Sequence, residues 1–360
     1  MKKHFNIIIS LIIFFIISLI SIYSSKKLVN IDNILLKQMI FYIIGSILLI
    51  IAYKYKKEII KYHYLLYIGI CFLLLILLFL GISINGSKCW FIIGPISFQP
   101  SEFMKISLII TLSILLNKKY KNEFMMLLTI FIITLIPSVL TFLEPDTGVV
   151  IIYLIIMLSL ILKKGINKKW YLILSIILII FSSSLVFLYL FNKDYLINIL
   201  GTNIFYRLDR LINWSNQNGY QLENSLITIG SSGLTGFGFN KTPLYFPEAS
   251  TDFIFTTFSS LFGFMGDFLL IIIIIFFDIS IINLTKKKIS KLDKNILTGF
   301  IVMLIYQQIQ NISMTLGLLP ITGITLPFIS YGGSSLLSYM FILGIILRIN
   351  DDNMHYINKN

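Results

Sequence analysis

Apolar residues come in long, nearly unbroken runs along this chain, separated by short stretches where charges and turn-forming residues collect. Ten runs approach or reach the ~18–20 residues needed to cross ~30 Å of hydrocarbon. They cover about 5–23, 38–53, 64–82, 102–116, 124–143, 147–162, 170–191, 252–283, 296–317 and 328–349. Three of them, 38–53, 102–116 and 147–162, are short, which leaves their ends soft. The pattern predicts an all-α polytopic membrane protein with about ten transmembrane helices, one large extracytoplasmic loop and re-entrant segments. The first run could pass for a signal peptide, but it has no small-residue cleavage site and many spans follow, so it reads as a retained helix. A single integral membrane domain, 1–360, accounts for the chain, and no repeat of fixed period interrupts it. The one sizeable segment between runs is about 192–251.

Composition agrees with the pattern. Apolar residues make up 57% of the 360, against about 45–50% in ordinary soluble domains. Charge then sets the orientation. With the N-terminus inside, alternate loops divide the 29 Lys and Arg so that 20 lie inside and 8 outside, with Lys105 inside a run. That bias predicts both termini in the cytoplasm and the 192–251 segment outside the cell. It also accounts for the net charge of +13: the lysines face anionic membrane lipids, and nucleic acid is not an expected partner. Cys71 lies mid-run and Cys89 in an outer loop, so no disulfide framework follows. His4, His63 and His355 sit at cytoplasmic edges and make no metal cluster.

Three outer segments carry polar groups that need a reason to be there. In "GSKCWFIIGPISFQPSEFMK" (86–105), Pro100 suits the first turn of a helix and Glu102 its positive end. Glu102 and Lys105, three apart, share a helix face and can pair, either as a neutralised structural pair or as the lining of a polar cavity. "EPDTG" (144–148) reads as a tight turn in which Asp146 either caps the next helix or binds a ligand. "LLPITGITLPFISYGGSS" (318–335) has two prolines, three glycines and no charge. Irregular backbone of this kind at membrane depth is tolerated inside protein or along a wet cavity. Its hydroxyls, Ser330 and Tyr331 among them, suit sugars and phosphates. The glycine-rich "GSSGLTGFGFNKTP" lacks the Gly-Lys-Ser/Thr core of a phosphate loop and reads as turn or re-entrant structure.

Asp252 stands apart. It opens the 252–283 run, where a helix cap needs no carboxylate because Ser250 or Thr251 would serve. A carboxylate beside an outer loop rich in Arg and Lys fits a site that handles a polar or anionic head group on a lipid tail.

The motifs "FQPSEFMK", "PDTG", "FPEASTDFIF" and "LPITGITLPFISYGGSS" together resemble the SEDS family, the shape, elongation, division and sporulation proteins. They stand in that family's order and spacing over essentially the whole chain. The short ends and "QNISMTLGLLPITG" look closer to the RodA branch than to the FtsW branch. The resemblance implies a peptidoglycan glycosyltransferase of the cytoplasmic (inner) membrane that polymerises lipid II, the undecaprenyl-pyrophosphate-linked disaccharide peptide, at the outer face. It also implies a class B penicillin-binding protein as partner and a divalent cation, Mg²⁺ or Mn²⁺, with metal ligands unknown. Residue by residue it makes Asp252 the essential aspartate. Glu102, Lys105, Asp146, Tyr206, Arg210, Ser330 and Tyr331 fall on the substrate-binding positions. Departures from the family pattern occur at Cys89, Ser260 and Leu261, and at Asn224 and Ser232. Two other readings stay open on residues alone: a transporter that flips lipid-linked precursors, and a weakly active scaffold for a penicillin-binding protein.

Overall fold

The computed structural model describes residues 4–25, 33–84, 87–93, 96–200, 205, 220–239, 241, 243–285 and 289–357. Each of the ten predicted runs falls on a helix. These are α1 (Phe5–Ser25), α2 (Ile34–Lys54), α4 (His63–Leu80), α5 (Pro100–Leu115), α6 (Glu123–Leu143), α7 (Thr147–Lys164), α8 (Lys168–Phe191), α11 (Ile254–Thr285), α12 (Lys291–Thr315) and α13 (Gly333–Ile357). Three shorter helices complete the order: α3 (Lys56–Lys61), α9 (Lys193–Leu200) and α10 (Tyr220–Ser231). Among the described residues eight helices are long and apolar enough to span a bilayer. α5, with 16 residues, falls below that length, and it is buried on nearly every side. Its neighbours α4, α6, α7, α12 and α13 pack around it. α8 lies at the periphery against α9.

Two of the run boundaries that differ from the sequence expectation bear on the site. The run predicted from 252 becomes helical only at Ile254, and the run predicted from 328 only at Gly333. Residues 326–332 instead make a tight turn whose Phe328 has φ 64°, a conformation costly for a bulky residue. Packing holds it there. The Phe328 ring stacks on Phe14 and meets Phe277 and Tyr339 edge-on or tilted, with centroids 6.1, 5.4 and 5.4 Å away. The Tyr42 hydroxyl donates to its carbonyl. A further difference is a three-stranded antiparallel sheet in order β1–β2–β3, formed by Ile82–Ile84, Ser87–Ile93 and Ile96–Phe98. The sequence reading had taken this segment as loop. β3 leads directly into Pro100, which occupies the first turn of α5 as expected.

α11 is two helices in one axis. At Gly263 (φ 61°, ψ −162°) the helical path breaks, and the glycine-rich turn after α10 fills the gap. Phe237 and Gly238 N–H groups donate to Ser260 and Leu261 carbonyls, while Phe264 and Met265 N–H groups donate to Gly233 and Leu234 carbonyls. These four bonds pair backbone groups on both sides of the break, as irregular backbone at membrane depth requires. A Cβ on Gly263 would stand 2.5 Å from the Gly236 nitrogen. Gly263→Ala is expected to lower the thermal midpoint in detergent, since strained φ alone costs about 1–3 kcal/mol; an unchanged midpoint would contradict this packing.

The two ends of the bundle carry different chemistry. At one end Lys56 bridges Asp293 (2.8 Å) and Asp352 (3.2 Å), Arg348 pairs with Asp352 (2.8 Å), and His4 meets Asp351 (3.1 Å). These ties put the N-terminal residues and the end of α13 on the same side. Asp146, Asp252 and the 318–332 segment all lie at the opposite end.

A candidate active site around Asp252

The site is assembled from the four polar segments singled out in the sequence. Asp146 caps α7: its Oδ1 accepts from the Val149 N–H (3.2 Å), and its Oδ2 accepts from the Gln99 side-chain amide (2.9 Å). The capping reading of Asp146 is thus correct, and Gln99 of "FQPSE" ties it to the start of α5. Glu102 and Lys105 form the expected pair at 2.6 Å, with the lysine side chain wholly enclosed. Lys105 also lies 5.3 Å from the centre of the Tyr339 ring. Enclosed in this way, Lys105 presents no surface of its own.

Asp252 is half-buried in the turn before α11, and among the described residues nothing hydrogen-bonds its carboxyl. Two other acids surround it electrostatically, Glu248 and Asp146. Burial first, then Glu248, then Asp146, raises its pKa from 3.8 to about 7. Asp146 is pushed up to about 6, chiefly by burial, against the pull of its N-cap bond. A wall of backbone closes the space between these acids. A Cβ at Gly323 would stand 3.6 Å from Asp252 Oδ2, and one at Gly148 would stand 2.5 Å from the Thr322 carbonyl. Only glycine at 148 lets the 318–326 segment come this near to α7.

Ser330 and Tyr331 do reach the site, but in a different capacity for Ser330. Its hydroxyl donates to the Thr251 carbonyl (2.7 Å) and accepts from the Leu326 N–H (2.9 Å), so it braces backbone and is not free for a ligand. Tyr331 is half-buried and its ring packs 6.1 Å from Phe41. Tyr206 and Arg210 lie outside the described residues. Sequence reading missed three contributors. Glu248 accepts from the Thr251 hydroxyl (2.6 Å), and its place four residues before Asp252 was the only clue. Asn311 of α12 bonds the Asp252 backbone (2.8 Å); the polar run Gln307–Asn311 inside an apolar span was its signal.

Glu144 is the third. It is fully buried, and among the described residues neither carboxyl oxygen has a hydrogen-bond partner. Burial, then Asp146, pushes its pKa from 4.5 to about 9, so it is neutral at pH 7. A folded pKa raised above the unfolded one means the native state binds the extra proton, and stability falls as pH rises between those two values. Glu144→Gln is expected to exceed the wild-type thermal midpoint at pH 7 with activity retained, the gap widening toward pH 9 and vanishing below pH 4.5. A midpoint lowered at every pH would refute a neutral Glu144.

With this geometry in hand, the chain can be set beside known proteins. The family model for FtsW, RodA and SpoVE, described as a cell cycle protein, matches residues 2–355. The chain belongs to this family. Two relatives carry the name peptidoglycan glycosyltransferase FtsW. The one from Mesostigma viride is 34% identical over 294 residues, covering 77% of this chain and 66% of the relative. The one from Buchnera aphidicola subsp. Schizaphis graminum is 33% identical over 300 residues, covering 78% and 79%. The fold matches a chain solved in work on polymerization and crosslinking by a peptidoglycan synthase complex, with TM-score 0.80 at 22% identity over 97% of this chain and 98% of that one. The FtsW/RodA/SpoVE chain described here is accordingly a multi-pass membrane protein. The expected leaning to the RodA branch is not shown by these two relatives, both of which carry the FtsW name.

Proposed function

We propose that the chain is a peptidoglycan glycosyltransferase that polymerises lipid II at the outer face of the cytoplasmic membrane, with Asp252 as its general base. Asp252 carries the reading: it is a half-buried carboxyl with no hydrogen-bond partner among the described residues, at the turn where the family's polar segments meet. The names of the FtsW relatives support it, as does the positive charge collected at the opposite end.

Joining an acceptor sugar to an α-linked pyrophosphate donor as a β-1,4 bond inverts the anomeric carbon. A base must then take the acceptor hydroxyl's proton as it attacks. Asp252 is placed to do so while both isoprenoid tails stay in lipid. The departing pyrophosphate needs positive charge, a role assigned to Arg210, with Tyr206 assigned to substrate binding. Among the described residues no three His, Cys, Asp or Glu lie close enough to form a metal site, so a divalent cation would be held by the pyrophosphate oxygens, leaving the Asp252 carboxyl to take the proton. When bound, Mg²⁺ or Mn²⁺ would neutralise charge on the leaving pyrophosphate. A class B penicillin-binding protein is the proposed partner, in keeping with the synthase complex that contains the structural neighbour.

The test is purified protein in lipid vesicles with lipid II and Mg²⁺, with and without that partner. Glycan strands are the expected product. Lipid II moved across the bilayer unaltered would favour transport, and product only from the partner would favour a scaffold.

A further inference from the structure

Three successive carbonyl oxygens lead into α11, and each accepts a hydrogen bond from a residue distant in sequence, two from the 318–335 segment and one from α12. The Tyr331 N–H donates to Ser250 O (2.8 Å), the Ser330 hydroxyl to Thr251 O (2.7 Å), and the Asn311 amide to Asp252 O (2.8 Å). Residues 247–253 belong to no helix or strand, so nothing else of regular structure fixes where Asp252 stands.

We propose that Asn311 is a positioning residue for the reaction: its side-chain amide holds the Asp252 backbone and the facing wall of the site at one fixed separation. This rests on the glycosyltransferase reading above. The same Asn311 nitrogen also donates to the Ile324 carbonyl (2.7 Å). Ile324 follows Gly323, the residue that faces the Asp252 carboxyl. One amide therefore spans both sides of the space in which the acceptor hydroxyl must sit, and it does so from α12, a long helix packed against α5, α7 and α11. Asn311 is fully buried, and its Oδ1 has no partner among the described residues. A residue kept only for packing would carry no stranded acceptor; the two donated bonds are what an asparagine adds here. The brace extends further back, because the Gln38 amide reaches both Ser18 Oγ (3.0 Å) and the Ser330 carbonyl (3.4 Å). Asn311 remains the member that touches Asp252 itself.

Small errors in placing a catalytic group are costly: a displacement of about 1 Å can lose about 10²-fold in rate. In the vesicle assay Asn311→Ala is expected to lower kcat by about that factor with KM for lipid II unchanged. Asn311→Ser, whose hydroxyl can serve one carbonyl and not two, should fall between. Adding Asn311→Ala to Asp252→Asn should cost nothing more, because Asn311 acts through Asp252. Wild-type kcat in Asn311→Ala, a raised KM at unchanged kcat, or full additivity with Asp252→Asn would overturn the proposal. If Asn311→Ala does not fold, Asn311→Ser decides alone, and wild-type kcat there counts against it. A second reading is independent of turnover: a water-soluble carbodiimide should label Asp252 faster in Asn311→Ser than in wild type, and equal rates would overturn the proposal. Wild-type protein that makes no glycan would strike the functional reading, while active wild type beside an equally active Asn311 variant would strike only the positioning role.

Discussion

Asp252→Asn is expected to slow glycan polymerisation by about 10²–10⁴-fold, the range for removing a general base, while leaving the fold intact. The substitution keeps the side chain's shape and breaks no hydrogen bond, because the carboxyl has none among the described residues and the Asn311 bond is to the Asp252 backbone. What it removes is the capacity to accept a proton. The pH dependence sharpens this. Asp252 is raised from 3.8 to about 7 by burial first, Glu248 second and Asp146 third. The base works only when deprotonated, so kcat/KM should fall as pH drops below about 7. Glu248→Gln removes the second cause and should move this acidic limb to lower pH. Glutamine can still accept from Thr251, so the turn itself should persist. A profile flat through pH 7, or a limb that stays in place when Glu248 is neutralised, would remove Asp252 from the role.

The sequence disclosed much of this site because its signals were local. Helix caps and i,i+3 pairs are decided within one turn, so Pro100, the Asp146 cap and the Glu102–Lys105 pair could be read directly. Hydrophobic run length sufficed for the spans for the same reason. Where reading failed, the cause was tertiary. Ser330 looks like a ligand-facing hydroxyl until Thr251, 79 positions away, is seen to occupy it. Asn311 and Asp252 meet across 59 positions, a pairing no periodicity encodes. The β-sheet at 82–98 escaped notice because its strands of three to seven residues lie beside an apolar run that dominates any window. The break at Gly263 is hidden in the same way, by a 32-residue apolar stretch that reads as one helix.

Lys105→Met is expected to produce the largest loss of stability in the molecule, about 3–5 kcal/mol, the usual cost of removing one partner from a buried ion pair. The lysine side chain has no exposed surface and that of Glu102 very little. With the ammonium gone, Glu102 must either keep an unpaired charge inside the bundle or take up a proton. Asp146 senses both members of the pair, with Glu102 raising its proton affinity and Lys105 lowering it. Losing Lys105 alone should therefore push Asp146 further up, and a protonated Asp146 no longer raises Asp252. The acidic limb of the rate profile should move to lower pH as the thermal midpoint drops. Combining Glu102→Gln with Lys105→Met separates the two consequences. Neutralising both should recover most of the lost stability, because buried pairs are often no better than neutral groups of similar size. It should also bring the pH limb back toward its wild-type position, since the raising and lowering influences on Asp146 leave together. Thermal unfolding in detergent and pH–rate profiles on the single and double variants read out both. A double variant no more stable than Lys105→Met would mean that the lysine is held there by packing on Tyr339 and not by charge.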